Sequence, residues 1–130
     1  MFHELREYDL ELSGVATFLQ HFEELGLPEL SACGFDMVGA WVQDIGPNTA
    51  TTFVWLARWE NLDDRTKALQ KTRESADYRA FGEAVRGIVR KIDTRILRNV
   101  SFSPLLAAPG SANEARKAVT DSSELPGGAR

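Results

Sequence analysis

The sequence predicts an α+β fold in which four strands form one antiparallel sheet and the helices pack on one of its faces. Three observations support this prediction: two-residue alternation over 2–12, an apolar helical stripe directly after it, and two strand-like runs joined by a Gly-Pro turn. The resulting order of strand, helix, strand, strand, helix, strand is the split βαβ pattern of ferredoxin-like domains.

The first half of the chain supplies a strand and a helix. Alternation over residues 2–12 places Arg6 and Tyr8 on one face of the first strand. Ser13 and Gly14 begin a helix, which is predicted to end at Gly26 before Pro28. A short helical turn from Pro28 to Cys33 follows. The apolar stripe of the helix recurs at three-to-four spacing and comprises Val15, Phe18, Leu19, Phe22 and Leu25.

The second half supplies a hairpin, further helix and a last strand. Residues 35–44 and 51–60 are predicted strands joined by a turn over 45–48. Asn61 is a predicted N-cap, and Asp77 is predicted to cap the last helix. One side of that helix carries Tyr78, Phe81, Val85 and Ile88. Residues 92–100 form the fourth strand.

Composition limits the class of protein. With 130 residues, 43% hydrophobic and 26% charged, the chain fits one soluble domain, predicted over residues 1–106, and a disordered tail over 107–130. A net charge of -4 argues against nucleic acid as a partner. No run reaches the roughly 18 apolar residues of a membrane span. Cys33 is the single cysteine, which suits a reducing compartment, and we expect a cytoplasmic protein.

Both faces of the predicted sheet are apolar, so the face away from the helices needs a cover. The economical cover is a second copy, and a homodimer is expected. Odd positions of the hairpin carry Met37, Trp41, Phe53, Trp55 and Trp59. The three tryptophans are predicted to share one face, as a wall for a flat aromatic ligand or as part of a dimer seal. Alternation cannot tell which face meets the helices, because one bulge exchanges the two sets.

Several short motifs, in order and spacing, resemble the NIPSNAP family over roughly residues 2–106. They are Glu4-Leu5-Arg6-x-Tyr8, Gly26-Leu27-Pro28, Gly46-Pro47, Trp59-Glu60-Asn61-Leu62, Asp77-Tyr78-x-x-Phe81, Arg95-Ile96-Leu97-Arg98 and Phe102-Ser103-Pro104-Leu105. The resemblance implies a dimeric α/β barrel of two ferredoxin-like chains. That architecture is shared with cofactor-free monooxygenases, small-molecule isomerases and decyclases, and haem-degrading enzymes. This chain has Trp55-Leu56-Ala57 where many relatives have a histidine in the third strand.

Arg6 and Tyr8 are the first candidate site residues. An unpaired arginine among apolar strands is costly, so Arg6 is expected to pair with Glu4 or Asp36, or with an anionic group of a ligand. Tyr8 is interpreted either as a packed strand residue or as a donor to a developing oxyanion. Arg98, in the closing motif, is expected near Arg6.

His21 lies at the edge of the helical stripe. It is interpreted either as a boundary histidine or as a base facing a pocket between helix and sheet. His3 and His21 are far apart in sequence, so neither a metal nor haem is expected. Asp36 and Asp44 are weaker candidate bases near strand ends.

The leading hypothesis is an enzyme without cofactor that acts on an apolar, aromatic or polyketide-like compound by isomerisation, cyclisation or oxygenation. His21, Tyr8 and Arg6 are its predicted catalytic residues. The predicted substrate-binding residues are Trp41, Trp55, Trp59, Asp36 and Arg98. The alternative is a non-catalytic dimeric binding or protein-interaction module, and a haem-handling barrel is a third reading.

Overall fold

A computed structural model describes residues 1–104 of the chain. The strands are β1 (Phe2–Leu10), β2 (Asp36–Val42), β3 (Thr52–Trp59) and β4 (Val89–Arg98). The helices are α1 (Val15–His21), α2 (Leu27–Ala32), α3 (Leu62–Glu74) and α4 (Ala76–Val85). No helix within residues 1–104 is long and apolar enough to cross a bilayer.

The four strands form one antiparallel sheet in the order β2-β3-β1-β4. β3 inserts between β1 and β2, which confirms the predicted ferredoxin-like arrangement. β1 therefore lies in the interior of the sheet, with a partner on each side. Arg6 in β1 lies opposite Trp55 in β3 and Thr94 in β4.

The first helical region runs further than predicted. A 3-10 turn at Leu12–Gly14 leads into α1, and a π-helical stretch at Phe22–Gly26 leads directly into α2. The prediction that the helix ends at Gly26 is wrong. Pro28 lies inside this continuous helical region, and its missing N–H falls where the bonding changes from π-helical to α-helical. Gly26 serves packing instead, because a Cβ there would lie 2.9 Å from the ring of Phe81.

The caps of α3 and α4 differ in how well the sequence predicts them. Asn61 caps α3 as predicted, its side-chain oxygen accepting a hydrogen bond from the N–H of Asp64 at 2.8 Å. The cap of α4 is Ser75, whose hydroxyl accepts from the N–H of Tyr78 at 2.9 Å. Asp77, the predicted cap, lies in the first turn of α4, where a negative charge favours the helix dipole.

A bulge in β2 separates the three tryptophans. Met37 lies opposite Ala57, but the register shifts before Gly39, and Trp41 then lies opposite Val54. Trp55 and Trp59 face the helices and are buried, whereas Trp41 lies on the other face, 52% exposed. The prediction of one shared face is therefore wrong for Trp41, because the extra residue reverses the alternation.

The core between sheet and helices is aromatic. The ring of Phe18 in α1 lies 5.3 Å from that of Phe53 and 5.5 Å from that of Tyr8, centre to centre. Phe22 contacts Phe53 in an edge-to-face pair, with ring centres 4.9 Å apart. These rings fill the space between α1 and the sheet, which fixes the helix against β1 and β3.

Residues 99–104 are described apart from the domain over residues 1–98. There the N–H of Ser103 donates to the carbonyl of Val100 at 3.0 Å and closes a turn. The predicted tail over 107–130 lies outside the described residues.

Gly26→Ala tests the close contact between the π-helical stretch and α4. Because the new Cβ displaces the Phe81 ring, overpacking outweighs the gain in helix propensity, and we expect the free energy of unfolding to fall by about 1–2 kcal/mol. The matched control is Gly82→Ala in α4, where a Cβ meets no atom within 4 Å. That change should raise stability by about 0.5–1 kcal/mol. Urea unfolding of both variants measures the difference, and equal stabilisation would contradict the packing role of Gly26.

Candidate active site

The candidate site is built on the helix-facing side of β1. Glu4, Arg6 and Tyr8 alternate with residues of the opposite face and point toward the helices. Glu4 is fully buried, and the Arg6 side chain is 14% exposed. Because β1 is paired on both sides, its register is set by two neighbouring strands, and all three side chains start from the same face of the sheet.

Glu4 is the centre of a buried polar cluster. Its carboxylate accepts hydrogen bonds from Nε of Arg6 at 2.7 Å, from Nε of Arg65 at 2.7 Å and from Nε1 of Trp59 at 3.0 Å. Burial alone raises the pKa of Glu4, but the hydrogen bonds and charges of Arg65 and Arg6 outweigh it and lower the pKa below its ordinary value of 4.5. Glu4 is therefore ionised at neutral pH.

The charges of this cluster do not balance. Arg6 and Arg65 bring two positive charges to the single negative charge of Glu4, and within residues 1–104 neither arginine forms a salt bridge with a second carboxylate. The cluster thus carries one excess positive charge in a poorly hydrated place. A ligand with negative charge, or a reaction that develops one, gains energy there.

Arg6 connects the cluster to two phenol groups. Its guanidinium carbon lies 4.9 Å from the centre of the Trp55 ring and 5.9 Å from that of Phe35. The guanidinium also interacts with the side-chain oxygens of Tyr8 and Tyr78. Tyr78 enters from the first turn of α4, so the site combines β1 with α4.

Both phenols stay protonated over the range in which proteins are handled. Burial raises the pKa of Tyr8, and burial raises the pKa of Tyr78 to about 12. The oxygen of Tyr8 accepts a hydrogen bond from Nε1 of Trp55 at 3.0 Å. In the described part of the chain no acceptor is found for the Tyr8 O–H itself, so this hydroxyl is available to donate to a ligand.

An apolar cleft adjoins these phenols, between α4 and the β1–β4 half of the sheet. Its volume is about 170 Å³. We call it the α4 cleft, and its lining consists of Tyr8, Tyr78, Phe81, Gly82, Val85, Arg86, Val89 and Ile92. Ile92 is 46% exposed, so the cleft is accessible from the β4 edge. The arrangement places hydrogen-bond donors and a positive charge next to an apolar surface, as small-molecule sites do.

The other predicted site residues lie in different places. His21 is half-buried at the end of α1, and the lining of the α4 cleft does not include it. Asp36 is exposed and forms a salt bridge with Arg58 at 2.9 Å. Arg98 lies opposite Phe2, four residues along β1 from Arg6, so the expected neighbourhood with Arg6 is wrong.

The tryptophans are divided between two environments. Trp55 lies beneath Arg6 and donates to Tyr8, and Trp59 donates to Glu4, so both belong to the cluster that supports the site. Trp41 lies across the sheet from them. Among residues 1–104, no group of three His, Cys, Asp or Glu side chains is arranged to hold a metal ion.

Sequence reasoning missed Arg65 and Tyr78. Arg65 falls on the sheet-facing side of α3, three residues before the buried Ala68. An arginine at an otherwise apolar position signals a buried acid, and Glu4 in the first strand is that acid. The sequence pattern places Tyr78 on the apolar side of its helix. It does not show that the Tyr78 hydroxyl, in the first turn of α4, interacts with Arg6.

Comparisons with known proteins agree with the fold. The model of the NIPSNAP family matches residues 3–104. No curated protein matches the sequence. Many solved structures are similar, and three of them follow. A NIPSNAP family protein from Agrobacterium tumefaciens is 26% identical, with a TM-score of 0.74 over 80% of this chain and 97% of that one. An uncharacterized NIPSNAP-like domain protein from Burkholderia xenovorans is 27% identical, with a TM-score of 0.73 over 84% of this chain and 96% of that one. A putative antibiotic biosynthesis monooxygenase from Nitrosomonas europaea is 13% identical, with a TM-score of 0.55 over 77% of this chain and 99% of that one, a likeness of fold.

Glu4→Gln tests the buried cluster. The amide still accepts from Trp59, but Arg6 and Arg65 lose their counter-charge, and we expect unfolding free energy at pH 7 to fall by about 3 kcal/mol. Because the folded pKa of Glu4 is lowered, its stabilisation is complete above pH 4.5 and is lost as pH falls through the folded pKa. The gap between wild type and variant should therefore narrow in acid.

Urea midpoints measured between pH 7 and pH 2.5 check this expectation. Asp36→Asn is the matched control, because it removes a carboxylate from the half-exposed pair with Arg58 and should cost less than about 1 kcal/mol. A gap between wild type and Glu4→Gln that does not change with pH would mean that Glu4 is not the ionised centre of the cluster.

Proposed function

Because the chain belongs to the NIPSNAP family and its apolar cleft ends at two phenol donors beside an excess positive charge, we propose that it is a cofactor-independent small-molecule enzyme of the isomerase, cyclase or monooxygenase type. The observation that carries the proposal is that Tyr8 and Tyr78 both line this cleft, while the oxygen of Tyr8 accepts a hydrogen bond from Trp55 and its O–H remains to be donated. The proposed substrate is an apolar, aromatic or polyketide-like ketone or phenol.

The chemistry follows from the charge of the site. When a proton leaves the carbon next to a carbonyl, negative charge develops on the carbonyl oxygen. Tyr8 and Tyr78 donate hydrogen bonds to that oxygen, and Arg6 supplies the compensating charge through them. Removal of one such donor typically lowers a rate by roughly 10²–10³-fold. The apolar walls of the cleft bind the rest of the substrate and exclude water.

The same stabilised anion serves each reaction type. Return of the proton to a different carbon gives isomerisation, and attack of the carbanion on a second carbonyl group gives cyclisation. An electron-rich substrate anion can also transfer an electron to molecular oxygen, which is the oxygenation branch of the proposal. His21 remains the predicted proton carrier, although it does not line the α4 cleft, and unchanged turnover in His21→Ala would remove that role.

The competing function is a binding protein without catalysis. The same donors would then bind a carbonyl or phenol oxygen of a ligand that leaves unchanged. Binding alone predicts affinity for apolar ketones without exchange of their protons, so the two functions differ in a measurable way.

We further propose that the functional unit is a homodimer in which a second copy covers the sheet face opposite the helices. Trp41 is 52% exposed and Leu97 is 42% exposed on that face, and Leu5, Val54 and Leu56 lie between them. These apolar side chains, which share their face with Glu7 and Arg95, support burial against an identical surface across a two-fold axis.

Proton exchange at a model ketone tests the enzymatic proposal. 2-Tetralone is a bicyclic ketone that forms an enol, and in D₂O the wild-type protein should accelerate exchange of its α-protons, as followed by NMR. Tyr78→Phe should lower this acceleration by roughly 10²-fold, because one donor to the developing oxyanion is lost. Between pH 7 and pH 10 the acceleration should not decline through loss of this donor, since the pKa of Tyr78 is about 12.

Two further variants distinguish an effect on the α4 cleft from an effect on folding. Gly82→Leu fills the α4 cleft and should abolish acceleration, whereas Gly87→Leu, at a residue that does not line the cleft, should leave it unchanged. Wild type that binds 2-tetralone without accelerating exchange supports the binding protein. Wild type that neither binds nor exchanges the ketone would contradict both functions.

Trp41→Asp tests the proposed dimer. An unpaired charge buried in the interface disfavours association, so light scattering after size exclusion should give a dimeric mass for wild type and a monomeric mass for the variant. Ile45→Asp is the matched control, since Ile45 is 92% exposed in the turn after β2 and lies outside the strands. A monomeric wild type would contradict the proposal.

A further inference from the structure

A second cavity continues the α4 cleft between the end of α3 and α4. Its volume is about 390 Å³, and it shares Tyr78, Gly82 and Arg86 with the cleft. We call it the arginine groove, after Arg73, Arg79 and Arg86 in its lining. Together the two spaces fall within the roughly 300–1,000 Å³ of ligand pockets. One ligand can therefore occupy both.

The arginine groove is electropositive although the whole chain carries a net charge of -4. Its lining contains three guanidinium groups and one carboxylate, Glu83. Glu83 contacts Arg86 at 3.4 Å, but both side chains are more than two-thirds exposed, so this pair is weak and easily exchanged.

One hydrogen bond orients Arg79 in this groove. Its Nη1 donates to the carbonyl oxygen of Arg73 at 3.1 Å, at the carboxyl end of α3. This bond uses one of the five guanidinium N–H groups and leaves the others for a ligand. Planar guanidinium groups bind carboxylate and phosphate oxygens in pairs of hydrogen bonds, which makes them suited to an acidic ligand.

We propose that the ligand of this site is amphiphilic, with an apolar group in the α4 cleft and a carboxylate or phosphate in the arginine groove, bound by Arg79 and Arg86. This inference rests on the proposed function only in using the α4 cleft for the apolar group. It adds a second recognition element, because the reacting oxygen would lie at the phenols and the acidic group in the arginine groove, two spaces that share Tyr78. The substrate is then an acid or a phosphate ester, not a neutral hydrocarbon ketone.

Calorimetry with two matched probes tests the inference. 2-Naphthoxyacetate and 2-naphthoxyacetamide have the same shape and differ by one negative charge. The wild-type protein should bind the acid about tenfold more tightly at low salt, and high salt should reduce this preference. In the double variant Arg79→Gln, Arg86→Gln the two probes should bind equally. 2-Naphthyl phosphate then tells whether phosphate is preferred over carboxylate.

Arg90→Gln is the matched control, because Arg90 is an exposed arginine on β4 that does not line the groove, and it should keep the preference. Equal binding of acid and amide by the wild type would overturn the inference while leaving the α4 cleft as a ligand site. A preference that survives the double variant but disappears in Arg6→Met would also overturn it, since the acid would then lie at the phenols. If neither naphthyl probe binds, both the inference and the proposed use of the α4 cleft fail.

Discussion

The rest of the structure depends on the buried carboxylate of Glu4, which links the sheet to α3. It is fully buried on β1, and its three hydrogen-bond donors come from β1, β3 and α3. Such a cluster gives a modest net stability, because desolvation of the charges offsets much of their attraction, but it strongly penalises any arrangement in which one partner is missing. It therefore fixes where α3 lies against the sheet. It also fixes the direction of Arg6, whose Nε donates to Glu4 and whose charge lowers the pKa values of Tyr8 and Tyr78 against the effect of burial.

The aromatic rings around this cluster strengthen the electrostatic effect of its excess positive charge. Arg6 lies over Trp55 and near Phe35, which bury the guanidinium without neutralising it. Electrostatic interactions are stronger in such surroundings than in water, so one positive charge there acts on a nearby oxygen more than an exposed arginine would. The raised pKa values of Tyr8 and Tyr78 have the same cause. The burial that strengthens the electrostatic interactions of Arg6 also keeps both phenols protonated, so that they can donate hydrogen bonds.

The sequence predicts the succession of strands and helices and the ferredoxin-like fold because these depend on local patterns, namely alternation, the apolar helical stripes and the Asn61 cap. It failed where tertiary packing decides. The helix passes Gly26 because that glycine admits the Phe81 ring, and Trp41 changes face because one bulge residue reverses the alternation. Arg6, Tyr8 and Trp55 were named as site residues from their strand positions. The sequence does not indicate Arg65 and Tyr78 as site residues, because their roles depend on how α3 and α4 pack against β1. Short-range sequence patterns carry no information about that packing.

The α4 cleft lies where it does because α1 packs closely against the sheet and α4 does not. Against α1, the rings of Phe18, Phe22 and Phe53 pack closely, so the pocket that the sequence placed beside the first helix has no room. Against α4, the facing strand β4 carries aliphatic side chains, and Ile92 and Ile96 stay partly exposed. A void remains there, next to the polar residues of β1. A sheet with large rings on one half and smaller side chains on the other thus yields a solid core and a ligand site on the same face, and the central strand supplies side chains to both.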